Sequence, residues 1–168
     1  TQIRTQIQQV SLFHKFFNAK RIIPRIAAFP FEYYHPTGKA KPPFILDFLI
    51  TSICNIRCEM CHYGELLDST KGHELSTSEI IKFFNDTKSS FDHVFLSGGE
   101  PFARNDLLEI VRHIKKLGLY CGIGTNGMLL NEEKIKHLVN SDVDYMIISL
   151  HGSQKIHDQI TGSLGAFD

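Results

Sequence analysis

The residues best suited to chemistry are Cys54, Cys58 and Cys61. They stand C-x3-C-x2-C in the eight-residue stretch Cys54-Asn55-Ile56-Arg57-Cys58-Glu59-Met60-Cys61. Thiols this close together can hold a metal centre. Cysteine thiolates are the usual ligands of iron–sulfur clusters, and a full cube takes four ligands. Structural zinc also uses closely spaced cysteines, but normally with four ligands and often as two CxxC or CxxH pairs. Here Cys61-His62 is adjacent, no second pair follows, and His73 is the nearest further candidate. Buried cysteines without a ligand are common singly, much less so as three in eight residues. An iron–sulfur centre is the leading expectation, with zinc or inert thiols as the alternatives.

Three more stretches carry polar groups beside glycine. In Ser97-Gly98-Gly99-Glu100-Pro101, two glycines let the backbone approach a ligand closely, and Glu100 offers an acceptor for an ammonium group. An acid near a helix start is favoured on its own account too. Thr125-Asn126-Gly127 is either a binding group or simply a turn, since Asn-Gly forms turns readily. Ile148-Ser149-Leu150-His151-Gly152 supplies a hydroxyl and an imidazole. One decoy overlaps them: Gly122-Ile123-Gly124-Thr125-Asn126-Gly127 matches G-x-G-x-x-G, with Asp142 and Asp144 downstream. A dinucleotide fingerprint opens its helix at once, whereas Gly122 and Gly124 fall inside an apolar strand and the next cap is Asn131. Glycines at alternate strand positions leave space on one face, which suits a cavity. Cys121 alternates to the opposite face and reads as a packing thiol.

Together these stretches resemble the radical S-adenosylmethionine (radical SAM) enzymes. The cysteine loop is similar to the family's cluster loop, Gly98-Gly99-Glu100-Pro101 to its GGEP motif, Thr125-Asn126-Gly127 to the TNG after its third strand, and Ile148–Gly152 to its ISLDG-type strand end. The resemblance implies a [4Fe–4S] cluster held by Cys54, Cys58 and Cys61, with SAM chelating the fourth iron through its amino and carboxylate groups. It implies reductive cleavage of SAM to a 5′-deoxyadenosyl radical that abstracts hydrogen from a substrate. By the same resemblance Gly98, Gly99 and Glu100 hold the amino end of SAM, Asn126 helps hold SAM or substrate, and Ser149 bonds the ribose or carboxylate. His151 stands where the family often has Asp. His157-Asp158, Thr161-Gly162 and Gly165-Ala166-Phe167-Asp168 also resemble the family's sequence after strand four, with Thr161 where an Arg is frequent. The cofactors carry such chemistry, and the protein positions them and keeps water and oxygen out. An electron donor such as flavodoxin or ferredoxin is implied as a partner.

These residues need elements to position them. From Phe44 to Thr51 runs a nearly continuous apolar stretch, the pattern of a buried parallel strand. The cysteine loop leaves its end and a polar stretch, Gly64 to Leu75, follows. Ser76-Thr77-Ser78-Glu79 is a capping box opening a helix that reads through Ser89. His93 to Ser97 is the second strand. Asn105 or Asp106 caps the next helix, which runs through Lys116 and ends at Gly118. Leu119 to Gly124 is the third strand, Asn131 opens a helix to Asn140, Asp144 to Leu150 is the fourth strand, and Ser153 starts a fourth helix. Strict alternation predicts a parallel sheet with right-handed crossovers. Ligand sites then lie at the carboxyl ends of the strands, where all four motif stretches fall. The expected fold class is α/β: a partial TIM-type barrel over 44–168, with about four βα units of the family's (βα)6 core.

At 168 residues the chain can bury one domain core, and 42% hydrophobic and 21% charged residues are ordinary for a globular chain. Zero net charge supplies no field to attract nucleic acid. No run of 18 apolar residues is present to span a membrane. Cluster thiols must stay reduced, which points to the cytoplasm. Residues 1–43 differ: no acid precedes Glu32, Arg4, Lys15, Lys20, Arg21 and Arg25 are basic, and Val10, Phe13 and Phe17 recur at helical spacing. The expectation is a basic amphipathic helix packed on the core. A peripheral membrane contact through residues 1–30 and a transit peptide are the alternatives. Pro24, Pro30, Pro36, Pro42 and Pro43 then read as an extended linker. Residue 1 is Thr, and Phe167-Asp168 falls inside what reads as a helix, so a fragment of a longer protein is expected. Peptide, nucleotide, lipid and small-molecule substrates all stay open. Two other functions compete: a non-catalytic iron–sulfur or zinc module, and a dinucleotide-binding enzyme.

Overall fold

The computed structural model describes residues 19–38, 43–61 and 74–168. The chain divides into two units, Thr1–Pro42 and Pro43–Asp168. In the first, helix α1 spans Ala19–Tyr33 with Pro24 and Pro30 inside it. The linker expected at these two prolines is therefore helical. The ring fixes φ near a helical value, so each proline removes one hydrogen bond and distorts a turn without ending the helix. Phe29, Phe31, Tyr33 and Tyr34 are exposed, and Tyr33 meets Tyr34 edge-on at 5.1 Å. The helical spacing at Val10–Phe17 lies outside the described residues, as do His62 and His73.

The second unit alternates as expected: β1 (Ile45–Thr51), α2 (Thr77–Thr87), β2 (His93–Gly98), a 3-10 turn (Pro101–Ala103), α3 (Leu107–Lys116), β3 (Tyr120–Thr125), α4 (Glu132–Asn140), β4 (Tyr145–Ile148) and α5 (Gln154–Thr161). The strands form one sheet in the order β1-β2-β3-β4, and every pairing is parallel. Local chemistry sets the helix starts. Ser76 and Glu79 close the capping box of α2. Asn131 accepts the Lys134 N–H at 2.8 Å at the start of α4. Asp106 does stand at the N-cap of α3, but its side chain makes no cap hydrogen bond. Its carboxylate is taken by Thr77 Oγ1 at 2.6 Å and by the Arg104 guanidinium. Helix α5 stops at Gly162, which adopts φ +64°, so the chain end is not helical as the sequence suggests. There the Asp158 carboxylate accepts the N–H groups of Gly165 and Phe167 and pins the last loop.

The two faces of the sheet differ. On the helix side, Val94, Leu96, Cys121 and Ile123 are fully buried with Ile80, Phe84, Ile110 and Ile114. On the concave side, Ile45, Leu49 and Ile147 are 50%, 56% and 54% exposed. The sequence reads β1 as buried on both faces; its concave face is open, because no described element covers it. The glycine pair of β3 does leave space on that face. A Cβ on Gly122 would lie 2.2 Å from the Tyr145 ring, and one on Gly124 would lie 2.9 Å from Cζ of Phe95. The two rings use that room, stacked on each other at 6.1 Å.

Candidate functional site

The cysteine loop grows out of the end of β1, where the β1–β2 register slips between Leu49 and Thr51. The end of β2 crosses directly over this stem. Gly99 N–H donates to Thr51 O at 2.9 Å and Glu100 N–H to Ile53 O at 2.7 Å. A Cβ on Gly98, whose φ is +124°, would sit 2.3 Å from Thr51 O, and one on Gly99 would sit 2.2 Å from Ile53 O. The sequence assigns these glycines to close approach of a ligand. They are needed already for the close approach of two strand ends.

A brace holds the stem from below. Glu74 accepts Thr51 Oγ1 and Ser52 N–H, both at 2.7 Å. Arg104, buried beside it, donates to Ile50 O at 3.0 Å and to Leu75 O at 3.1 Å, and pairs with Asp106 at 2.6 Å. Burial pushes the Glu74 carboxyl up, but the Thr51 and Ser52 hydrogen bonds and the Arg104 charge outweigh it and hold the group below the ordinary carboxylate range. The Arg104 hydrogen bond does the same for Asp106, against burial. Sequence reading missed this brace, because Glu74 sits in a polar stretch with nothing to mark its partners.

Within the loop, Arg57 Nη1 donates to the carbonyls of Cys54 and Ile56 at 2.9 and 3.1 Å, and Cys61 N–H donates to Cys58 O at 3.0 Å. Glu59 N–H reaches Ile160 O on α5 at 2.9 Å. All three cysteines are free thiols, Cys54 and Cys58 half-buried and Cys61 exposed. Burial raises the pKa of Cys58, and the neighbouring Cys54 and Cys61 raise it further. Thiolates this close would repel one another, and a cationic metal centre held between them would relieve that repulsion. Among the described residues, no three His, Cys, Asp or Glu side chains converge on a point that would hold one metal ion.

The loop forms one wall of a cavity of about 310 Å³. Cys54, Cys58 and Cys61 line it together with Gly98, Gly99, Asn126 and Ser149, which brings seven of the eight expected site residues to one place. Gly124, Phe95 and Ile147 also face it, and so do His151 and His157. Glu100 is the exception. It is fully buried and does not line the cavity. Its Oε1 accepts Phe102 N–H at 3.0 Å and Thr125 Oγ1–H at 2.8 Å, and its Oε2 accepts Asn126 N–H at 2.8 Å. It ties the end of β2 to the end of β3. Asn126 makes the turn that the sequence allows, its Oδ1 accepting Met128 N–H at 3.0 Å, and its Nδ2 donates to Asn55 Oδ1 at 2.9 Å, inside the cysteine loop. Ser149 N–H donates to Thr125 O at 3.0 Å, which continues the β4 edge to the cavity rim. Cys121 points away into the core, as its parity implies, and burial pushes its thiol up to about 12.

A family model for the radical SAM superfamily matches residues 48–167. The chain is 39% identical over 120 residues to a PqqA peptide cyclase of Methylocella silvestris, covering 70% of this chain and 32% of that protein. It is 36% identical over 132 residues to the Fe-coproporphyrin III synthase of Methanosarcina barkeri, covering 78% and 33%. The chain thus spans about a third of the length of these curated relatives. Among solved structures, Streptococcus suis SuiB bound to S-adenosylmethionine aligns with a TM-score of 0.60 at 18% identity, over 74% of this chain and 27% of that one. SuiB bound to its precursor peptide SuiA aligns at 0.63 with 17% identity, over 86% and 32%. These structural likenesses concern the fold, a partial barrel of parallel strands.

Proposed function

The chain belongs to the radical SAM superfamily, and we propose that it forms the cluster- and SAM-binding part of a radical enzyme. One observation carries the reading: three free thiols of one loop and the ends of β2, β3 and β4 share the walls of a single cavity. Cys54, Cys58 and Cys61 would hold a [4Fe–4S] cluster. When bound, that cluster would supply the electron for reductive cleavage of SAM and so for hydrogen abstraction from a substrate. The chain's own residues position the partners. Main chain at Gly98 and Gly99, the Asn126 amide and the Ser149 hydroxyl offer polar contacts to SAM. Glu100 acts through Asn126, whose N–H it fixes at 2.8 Å, so its effect on SAM is one of positioning.

An electron donor of the flavodoxin or ferredoxin class would reach the cluster from the exposed side of the loop, at Cys61. Free thiols fit a reducing compartment, the cytoplasm. The exposed aromatic residues of α1 support a peripheral membrane contact by the first unit. Among the described residues no helix is long and apolar enough to cross a membrane.

Anaerobic reconstitution with iron and sulfide, followed by reduction, tests this reading by EPR. A [4Fe–4S]⁺ signal that changes on adding SAM is expected. A cluster indifferent to SAM would favour the non-catalytic iron–sulfur module, and a protein that takes zinc but forms no cluster would remove the reading.

A further inference from the structure

His157 lies near the start of α5 and is 3% exposed, yet its ring reaches the cavity wall beside the cysteine loop. Its two nitrogens are in different situations. Nδ1 accepts the main-chain N–H of His151 at 3.2 Å. A main-chain N–H can only donate, so Nδ1 carries no proton and the neutral ring is protonated at Nε2. Nε2 has no hydrogen-bond partner among the described residues. Nor is it sealed in the core, since the buried side-chain atoms left without a partner do not include it. It is a donor at the cavity surface on an otherwise buried ring.

The ring is also held. It stacks on His151 at 5.4 Å with 15° between the planes, and meets Phe167 edge-on at 6.1 Å. Phe167 is itself fixed by its N–H to Asp158 at 3.1 Å. Thr161 Oγ1–H donates to His157 O at 2.8 Å and adds a second tie within α5. A donor at a cavity wall on a ring held this firmly pays little entropy when it meets an acceptor. From this we infer that His157 is a positioning residue for SAM: its Nε2–H donates to an oxygen of the bound molecule, either the carboxylate or a ribose hydroxyl. The inference rests on the radical SAM reading and adds to it a residue on α5.

Two substitutions separate the nitrogens. His157→Gln places an amide N–H near the Nε2 position, and His157→Asn places its amide near Nδ1 only. Binding of SAM to the reconstituted protein is measured by equilibrium dialysis, with cluster content followed by absorbance. H157N is expected to keep its cluster and to bind SAM about tenfold more weakly, while H157Q stays within about threefold of the unaltered protein. A purely structural His157, needed only to hold the His151 amide, gives the reverse order and overturns the inference. If H157N fails to fold, H157Q decides alone, and a tenfold loss there overturns it. Methylthioadenosine, which keeps the ribose and lacks the carboxylate, identifies the oxygen. A penalty in H157N that persists with it assigns the ribose, and one that vanishes assigns the carboxylate. If the unaltered protein with an intact cluster binds no SAM, the functional reading falls and this inference with it. If it binds SAM and H157N binds equally well, only the inference falls.

Discussion

Cys121 and Gly122 are neighbours in β3, yet they occupy different surroundings. Cys121 faces the helices, is fully buried, and has its thiol pushed up to about 12 by burial. Gly122 faces the concave side, where Tyr145 and Phe95 stack beneath a cavity lined by three other cysteines. One residue of parity separates a packing thiol from the face that carries the site. The same holds along β1, where Phe48 packs on Phe83 and Phe84 while Leu49 is 56% exposed. The helix-facing side holds the packed core and the concave side carries the candidate site.

The largest test of that division concerns iron. Cys54→Ala, Cys58→Ala or Cys61→Ala should each abolish cluster formation, while Cys121→Ala should retain full iron. Equal iron loss in Cys121→Ala, read by iron assay and absorbance, would remove the distinction between the faces. The next test is thermodynamic. Phe84→Ala empties the core side and should cost about 3–5 kcal/mol, whereas Leu49→Ala on the open side should cost about 0.5 kcal/mol or less. Urea titrations of the two variants check this, and similar losses would mean that the concave face is covered in solution. An effect smaller than that of Phe84→Ala belongs to the brace under the cysteine loop. Glu74 and Asp106 have lowered pKa values, so their contribution is fully present above the ordinary carboxylate range and is lost as pH falls through the folded values. Glu74→Gln should cost about 1–2 kcal/mol at neutral pH. It should also flatten the fall in the urea midpoint that the unaltered protein shows below about pH 4. An identical acid profile in both proteins would show that Glu74 does not brace the stem.

Much of this arrangement is legible in the sequence because its signals are local. Ser76 with Glu79, Asn131 and Gly118 mark helix ends by side chains a few residues apart, and each helix end follows. The motif stretches share a rim because every parallel strand ends on the same side, which alternation alone implies. The remainder depends on contacts distant in sequence. Ile45 and Leu49 look as apolar as Leu46 and Phe48, and only the open concave side separates them. Glu100 looks like a surface acid at a turn, but three donors from Phe102, Thr125 and Asn126 enclose it. Asp158 ends the last helix early by capturing Gly165 and Phe167, bonds that helical periodicity does not encode. Pro24 and Pro30 look like a linker and lie inside α1, since a proline weakens a helix without always ending it.

The bond from Glu59 N–H to Ile160 O has a consequence for the order of folding. Strands β1 to β4 pair with neighbours in sequence, so each pairing needs only the crossover between consecutive strands. The cysteine loop instead waits for a segment about a hundred residues further along the chain. At Gly162, which closes that segment, an added Cβ would lie 3.0 Å from Arg57 O, a tight contact with the cysteine loop. Until α5 docks, the loop lacks this tie and is held only from the β1 stem and through the Asn126–Asn55 bond. A nascent chain would therefore present the three thiols of the loop before the last of their supports is in place.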